Sequence, residues 1–221
     1  MVQTLSPDWV LRMNRLAPLV TLAGLGLLAT VVWAGELPEP EPPASTAEEL
    51  PPPSPAEASP APPSMEEIAE RGFTIRIHKS ERRMVLVSPP HGEVVRSWPV
   101  GLGFAPEGDK EREGDGRTPE GSFTVVRKLP SSQYYKAFLL SYPTPEDAER
   151  GLASGLIDRA TSEQIHAAHR RAKTPPQYTP LGGLIEIHGL GAGADWTLGC
   201  VAAENDAIDA LWPWVRVGQE V

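Results

Sequence analysis

The chain contains one cysteine, Cys200, which follows a histidine, His188, by 12 positions. A thiolate is a strong nucleophile, but an unperturbed cysteine has a pKa of about 8.5 and is mostly protonated at neutral pH. A histidine within hydrogen-bond reach can take the thiol proton and later return a proton to a leaving group. This pair therefore predicts nucleophilic catalysis on a carbonyl group, provided that the chain folds back between the two residues. The alternative is a small buried thiol with a structural role only.

Small residues surround the pair. Gly199 precedes the thiol, Thr197 lies three positions before it, and residues 189–194 are rich in Gly and Ala. Such a stretch allows a substrate to approach the backbone closely. Because backbone N–H groups can stabilise an oxyanion, we expect those of Gly189, Gly199 and Cys200 to do so.

An apolar segment near the N-terminus indicates the compartment. Residues 16–34 carry no charge and follow Arg12 and Arg15. A bilayer is spanned by about 20 residues, so we expect a membrane anchor, with a cleaved signal peptide as the alternative. The basic residues place 1–15 in the cytoplasm and the rest of the chain outside it. We therefore expect a periplasmic or other extracytoplasmic protein tethered to the inner membrane, where a lone thiol is a chemical liability unless it is used.

The next segment, residues 35–64, is dense in Pro, Glu, Ala and Ser and has no basic residue. Such a composition predicts a disordered, partly polyproline tether of up to about 3.1 Å per residue. Much of the formal net charge of -9 lies in this acidic segment, so it says little about the rest of the chain. Because no basic stripe with interleaved aromatic residues occurs, we expect no nucleic-acid partner.

Residues 65–221 have the length of one domain. Short runs rich in β-branched residues predict strands within 73–80, 82–89, 92–103, 121–129, 137–143 and 182–189. Capping and charge patterns predict helices within 144–155 and 157–173, and a last helix that Asn205 caps and that Pro213 stops or bends. The predicted fold class is mainly β with peripheral helices, that is, α+β.

These motifs resemble the L,D-transpeptidases, whose signature is a strand-borne His-Gly followed, after a gap, by Ser/Thr-x-Gly-Cys. The chain has His188-Gly189 and then Thr197-Leu198-Gly199-Cys200-Val201, and "EGDGRTPEGSFTV" at 113–125 is similar to an upstream block of one branch. The resemblance covers roughly residues 73–221 and implies a β-sandwich-like catalytic domain. Many members have His at the position of Leu198, and many have Arg or Asn where this chain has Ala202, so His188 is left as the one nearby base.

The resemblance implies an enzyme that acts on peptidoglycan stem peptides without a cofactor. Cys200 would attack the carbonyl of the third residue of a tetrapeptide stem, expel the terminal D-alanine and hold a thioester until an amine takes the acyl group. A hydrolase of the carboxypeptidase or amidase type, with the same Cys/His pair, is the alternative. A non-catalytic wall-binding module is a further alternative, which would predict a damaged nucleophile or base.

Three further residues are candidates for substrate contact. Arg117 can line the cleft and pair with a substrate carboxylate, or it can belong to a tight turn before the strand at 121–126. Thr197 lies close to the thiol in sequence. Trp196 can stack on the substrate or hold its loop down by burial. We expect no metal site, because His166 and His169 lack a third ligand at metal-site spacing.

Overall fold

The computed structural model describes residues 63–221. The segments predicted as cytoplasmic N-terminus and membrane anchor, and the tether up to residue 62, lie outside the described residues, so these predictions stay predictions. Among residues 63–221, no helix combines the length and the apolar character needed to cross a bilayer.

Seven strands form two sheets, one of three strands in the order β1-β2-β3 and one of four in the order β4-β5-β6-β7. The strands are β1 Thr74–His78, β2 Arg83–Ser88, β3 Glu93–Pro99, β4 Val125–Ser132, β5 Tyr135–Leu140, β6 Glu186–His188 and β7 Val201–Ala202. All neighbouring pairs are antiparallel except β6 and β7, which are parallel. Each predicted strand segment contains or overlaps a strand. The two-residue β7 was not predicted, because it is too short to show a period.

Four helices accompany the sheets: α1 Met65–Arg71, α2 Pro145–Ala153, α3 Arg159–Arg170 and α4 Asn205–Leu211. The prediction of a mainly β, α+β fold is therefore confirmed. The helices α2 and α3 lie within the predicted segments, and α2 begins at the predicted cap, where the Thr144 side chain accepts the Asp147 N–H. The helix α1 was missed, although the Ser64 and Glu67 side chains form a capping box that starts it.

The predicted cap of the last helix is wrong by one residue. Glu204 occupies the N-cap position without a side-chain hydrogen bond, and Asn205 is the first helical residue. The Asn205 side chain is used elsewhere, since its Oδ1 accepts the N–H of Leu190 at 3.0 Å. The helix ends at Leu211, two residues before Pro213, as the sequence predicts.

One core joins the two sheets, with buried side chains that include Ile75 and Leu86 from the first sheet and Phe138 and Ile187 from the second. The segment between β5 and β6, residues 144–184, carries α2 and α3 and is called the helical insertion below. It has a small core of its own, formed by Ala148, Ile157, Ile165 and Leu181. Burial of these apolar side chains stabilises the insertion through a core that is separate from the main core.

Candidate active site

The adjacent strands β6 and β7 bring three chemically active side chains to one face of the sheet. Their parallel register pairs Ile187 with Val201, and both of these side chains lie in the core. Because successive side chains of a strand point to opposite faces, Glu186, His188 and Cys200 lie on the other face. All three line one cleft of about 470 Å³. The chain thus folds back between His188 and Cys200 as the sequence analysis requires.

The walls of this cleft come from several parts of the chain. Thr197 and Trp196, both candidates for substrate contact, line it beside the pair. The rest of the wall includes Lys110, Glu113, Tyr134, Gln177, Tyr178 and Leu184. The helical insertion therefore supplies part of the wall opposite the strands. Its Tyr178 side chain is 88% exposed, so an aromatic ring stands free at the cleft.

His188 is held in the form that a general base requires. Its Nδ1 lies 2.7 Å from the Gly189 carbonyl oxygen, and because that oxygen can only accept, Nδ1 carries the proton and Nε2 keeps its lone pair. The ring stacks on Tyr134 at 4.5 Å between centroids and meets the edge of Trp196 at 5.6 Å. Burial lowers the pKa of His188, and so the imidazole is neutral at pH 7.

Cys200 is a partly exposed free thiol that donates a hydrogen bond to the Leu184 carbonyl oxygen at 3.4 Å. Burial raises the pKa of the Cys200 thiol to about 12; the backbone N–H of Glu186 and the charge of Lys110 act in the opposite direction, while the Glu186 carboxylate raises this pKa further. In the free protein Cys200 is therefore a neutral thiol at pH 7. Its hydrogen is directed at the helical insertion rather than at His188.

Thr197 holds the turn that carries the nucleophile. Its hydroxyl donates to the Cys200 carbonyl oxygen at 2.8 Å and accepts the Gly199 N–H at 3.1 Å. The same Cys200 carbonyl accepts the Thr118 hydroxyl at 3.4 Å. Gly199 has a φ of +136°, and a Cβ there would lie 2.8 Å from the Arg117 carbonyl oxygen, so only glycine fits. The hydroxyl of Thr197 is thus occupied by the backbone of the turn.

The predicted set of oxyanion donors needs a correction. The Gly199 N–H is used by Thr197, and the Gly189 N–H donates to the Tyr134 carbonyl oxygen at 3.0 Å. Within residues 63–221, the Cys200 N–H donates to no side chain and to no carbonyl oxygen of a loop or turn. A backbone N–H that already donates a hydrogen bond within the fold cannot donate to an oxyanion without losing that bond. Of the three predicted oxyanion donors, the N–H of Cys200 therefore remains.

The "GDGRTPEG" block is built around the Asp115 carboxylate. It accepts the N–H groups of Glu111, Arg112 and Arg117 and the ammonium of Lys110 at 2.8 Å. Although burial opposes ionisation, these hydrogen bonds lower the pKa of Asp115 to about 2. The Asp115 carboxylate is therefore the shared hydrogen-bond acceptor that fixes this loop, and the loop supports the turn that carries Cys200.

The structure places the Arg117 side chain within this loop. Its guanidinium donates to Glu111 Oε1 and to the Asp109 carbonyl oxygen, both at 3.1 Å. The residues that line the cleft do not include Arg117. This placement fits the alternative interpretation, in which Arg117 belongs to a tight turn before β4. Trp196, by contrast, both lines the cleft and anchors its loop, since its Nε1 donates to the Gly191 carbonyl oxygen at 3.3 Å.

Glu186 was not predicted as a site residue. The alternation in "LIEIHG" was a signal for it, because Glu186 and His188 are two positions apart on one strand and must share a face. Glu186 is only 8% exposed, and burial raises the pKa of its carboxyl group while the charge of Arg127 opposes this. Over the described residues, no three or more His, Cys, Asp or Glu side chains are grouped to hold a metal ion.

Comparisons with known proteins identify a family for this chain. Residues 72–221 match the YkuD family model, described as the L,D-transpeptidase catalytic domain. A comparison with curated protein sequences found no match. Among solved structures, Bd1075 of Bdellovibrio bacteriovorus is 20% identical with a TM-score of 0.42, and covers 66% of this chain. An L,D-transpeptidase of Xylanimonas cellulosilytica is 18% identical with a TM-score of 0.39, and covers 68%.

This chain spans about half the length of these structures, 45% of the first and 59% of the second. The family match itself covers more than half of the 221 residues and includes the cleft with its histidine and cysteine. The chain therefore belongs to the L,D-transpeptidase catalytic domain family.

Proposed function

We propose that this chain is an exported cysteine L,D-transpeptidase that acts on peptidoglycan stem peptides, with Cys200 as nucleophile and His188 as general base. The observation that carries the proposal is the shared cleft, in which adjacent strands present both side chains on one face. The fixed Nδ1–H tautomer of His188 supports it, since the lone pair of Nε2 is then available for a thiol proton.

Acylation begins when the thiol of Cys200 leaves the Leu184 carbonyl and gives its proton to Nε2 of His188. The sulfur attacks the carbonyl of the third residue of a tetrapeptide stem, and the oxyanion that forms accepts the N–H of Cys200. The tetrahedral intermediate collapses as the imidazolium of His188 protonates the departing D-alanine amine. The products of this step are free D-alanine and a thioester on Cys200.

Deacylation decides between transfer and hydrolysis. An amine of a second stem attacks the thioester, His188 removes a proton from that amine, and the sulfur returns as the thiol. This gives a cross-linked stem. Water that takes the place of the amine gives a tripeptide stem with a free carboxylate. Both reactions use the same pair, and we propose transfer as the main activity.

The proposed location is periplasmic or otherwise extracytoplasmic. It is supported by the uncharged segment 16–34 after Arg12 and Arg15, and by the Pro- and Glu-rich segment 35–64 that would separate the membrane from the catalytic domain. A tether of that composition lets the domain reach a polymer away from the bilayer.

The test is turnover of purified disaccharide-tetrapeptide by the full chain, with the products followed by mass. Transfer gives a cross-linked dimer that lacks one terminal D-alanine, whereas a hydrolase gives tripeptide stems alone. We expect Cys200→Ala to abolish either product and His188→Gln to slow it by about 10²- to 10⁴-fold. The matched control is His166→Gln on α3, a histidine outside the cleft, which should leave the rate unchanged. Full turnover by Cys200→Ala would refute the proposal.

A further inference from the structure

The Glu186 carboxylate is buried but has no partner. The residue is 8% exposed, and within residues 63–221 no group bonds to its carboxylate, whose oxygens are not fully buried and so reach the cleft. Its neighbours in sequence, Ile185 and Ile187, lie in the core, so the Glu186 side chain is on the face of β6 that lines the cleft. An unpaired carboxylate is costly to bury, and native proteins normally satisfy such a group. Water or a molecule bound in the cleft is therefore what can pair with this carboxylate.

The charged side chains that line the cleft do not pair with Glu186. The ammonium of Lys110 is taken by Asp115 at 2.8 Å, in an ion pair whose side chains are 3% and 9% exposed. Arg127 acts on Glu186 from β4 without forming an ion pair with it. Glu113, the remaining charged residue of the wall, is also acidic. The space beside the thiol thus carries excess negative charge, which attracts a cation.

We propose that Glu186 binds a primary ammonium group of the peptide substrate beside Cys200. The inference rests on the proposed function, because a transpeptidation has an amine acceptor and a stem whose third residue is a diamino acid carries a second amine. The attacked carbonyl belongs to that third residue, so its side chain lies next to Cys200, and in the β6–β7 register Cys200 is beside Glu186. A metal ion fits less well, since the described residues hold no cluster of three or more ligands.

Binding of the ammonium would also prepare the nucleophile. The groups that bear on the Cys200 sulfur are Glu186 and Lys110, with His188 on the same face of the sheet. An ammonium on Glu186 cancels the negative charge that disfavours a thiolate beside it. The thiol then ionises more readily when a substrate with the correct amine is in place, while burial, the largest cause of its raised pKa, continues to oppose the thiolate.

The experiment measures binding to the full-chain Cys200→Ala protein, which has no thiol and does not turn over. By calorimetry, we compare the tetrapeptide L-Ala-γ-D-Glu-L-Lys-D-Ala with the same peptide acetylated on the lysine side-chain amine. A charge-assisted hydrogen bond predicts that acetylation weakens binding by about tenfold or more. In Cys200→Ala/Glu186→Gln this difference should vanish, and in Cys200→Ala/Glu163→Gln, where the removed carboxylate is exposed on α3, it should persist.

Two arms separate the sources of the ammonium. A Glu186-dependent difference between the two peptides assigns the site to the acyl donor. Equal binding of the two peptides, together with Glu186-dependent binding of n-butylamine to the protein saturated with acetylated peptide, assigns it to the acceptor. If neither depends on Glu186, the proposal is overturned. Glu186→Asp, which keeps the charge and should retain part of the preference, serves as the second variant if Glu186→Gln does not fold.

The outcome is independent of the turnover assay. Glu186-dependent amine binding in a chain that forms no product would reject the enzyme proposal and keep this site. Product formation without any Glu186-dependent preference for the amine would support the enzyme proposal and reject the proposed amine site.

Discussion

The reactivity of Cys200 in the free protein can be changed without touching the thiol. The perturbation is Glu186→Gln, which keeps the shape of the side chain and removes a negative charge from the residue opposite Cys200 in the β6–β7 register. A carboxylate beside a sulfur disfavours the thiolate, because two like charges repel. Removing it should therefore lower the pKa of the thiol and increase the thiolate fraction at a given pH.

The magnitude follows from the geometry. The pKa of Cys200 is raised to about 12. A group with such a pKa is ionised to about 1 part in 10⁵ at pH 7, against about 3 parts in 100 for an unperturbed cysteine. Two charges on neighbouring strands, roughly 6 Å apart at an effective dielectric constant of about 20, repel by about 3 kcal/mol, and water in the cleft screens part of this. We expect Glu186→Gln to lower the thiol pKa by about one unit, which is about tenfold in thiolate.

The assay is the rate of iodoacetamide alkylation of the full chain between pH 7 and 11, followed by intact mass. Because the thiolate is the reactive species, the rate of the wild-type chain should be low at pH 7 and still rise at pH 10. The rate of Glu186→Gln should be about tenfold higher up to about pH 10, with a smaller difference at pH 11, whereas Glu163→Gln should match wild type. A wild-type midpoint near pH 8.5, or a slower Glu186→Gln, would refute the reasoning.

Three further predictions concern the turn that carries the nucleophile and the loop beneath it. Gly199→Ala should lower the thermal unfolding temperature and abolish acylation, since a Cβ there meets a backbone oxygen at 2.8 Å, whereas Gly193→Ala, with nothing within 4 Å, should change the temperature little. Thr197→Val removes the hydroxyl that bonds the Cys200 carbonyl and the Gly199 N–H, and should cost about 1–3 kcal/mol of unfolding free energy in a denaturant titration. The pKa of Asp115 is lowered to about 2 from 3.8, so its ionisation stabilises the fold above pH 4 and this contribution is lost as the pH falls towards 2; Asp115→Asn should be less stable than wild type at pH 7, with a gap that narrows over that range. A gap that stays constant from pH 7 to 2 would contradict this assignment.

The pairing of β6 with the two-residue β7 was not predictable from the sequence, but the combination of His188 and Cys200 was, because their residue types and short spacing are local features. The caps of α2 and α3 were predictable for the same reason, since Thr144 and Asp158 bond N–H groups three residues away. The missed α1 belongs to this class too, because the Ser64 and Glu67 pattern that starts it stands in the sequence at the end of the proline-rich segment.

Other features of the site depend on contacts between distant segments. Whether a backbone N–H is available to an oxyanion depends on what else it bonds, and Gly189 is engaged by Tyr134, which is 55 positions earlier. The Arg117 side chain could point into the cleft or bond within its own loop. It bonds within the loop, because Glu111 and Asp109 offer acceptors there. The periodicity of residues along the sequence does not predict which of these hydrogen bonds form.

The resting position of the thiol joins the helical insertion to the chemistry. The Leu184 carbonyl that accepts the Cys200 hydrogen belongs to a residue with a φ of +53°, and its N–H donates to Gln177 Oε1 at 2.8 Å. The amide nitrogen of Gln177 in turn donates to the Tyr142 carbonyl oxygen at the end of β5. The insertion therefore both lines the cleft and accepts the hydrogen bond of the Cys200 thiol. If the proposed function and the proposed amine site hold, a stem peptide that enters between the insertion and β6 competes for the Cys200 hydrogen bond and brings its amine to Glu186, so release of the thiol and neutralisation of the carboxylate accompany a single binding event.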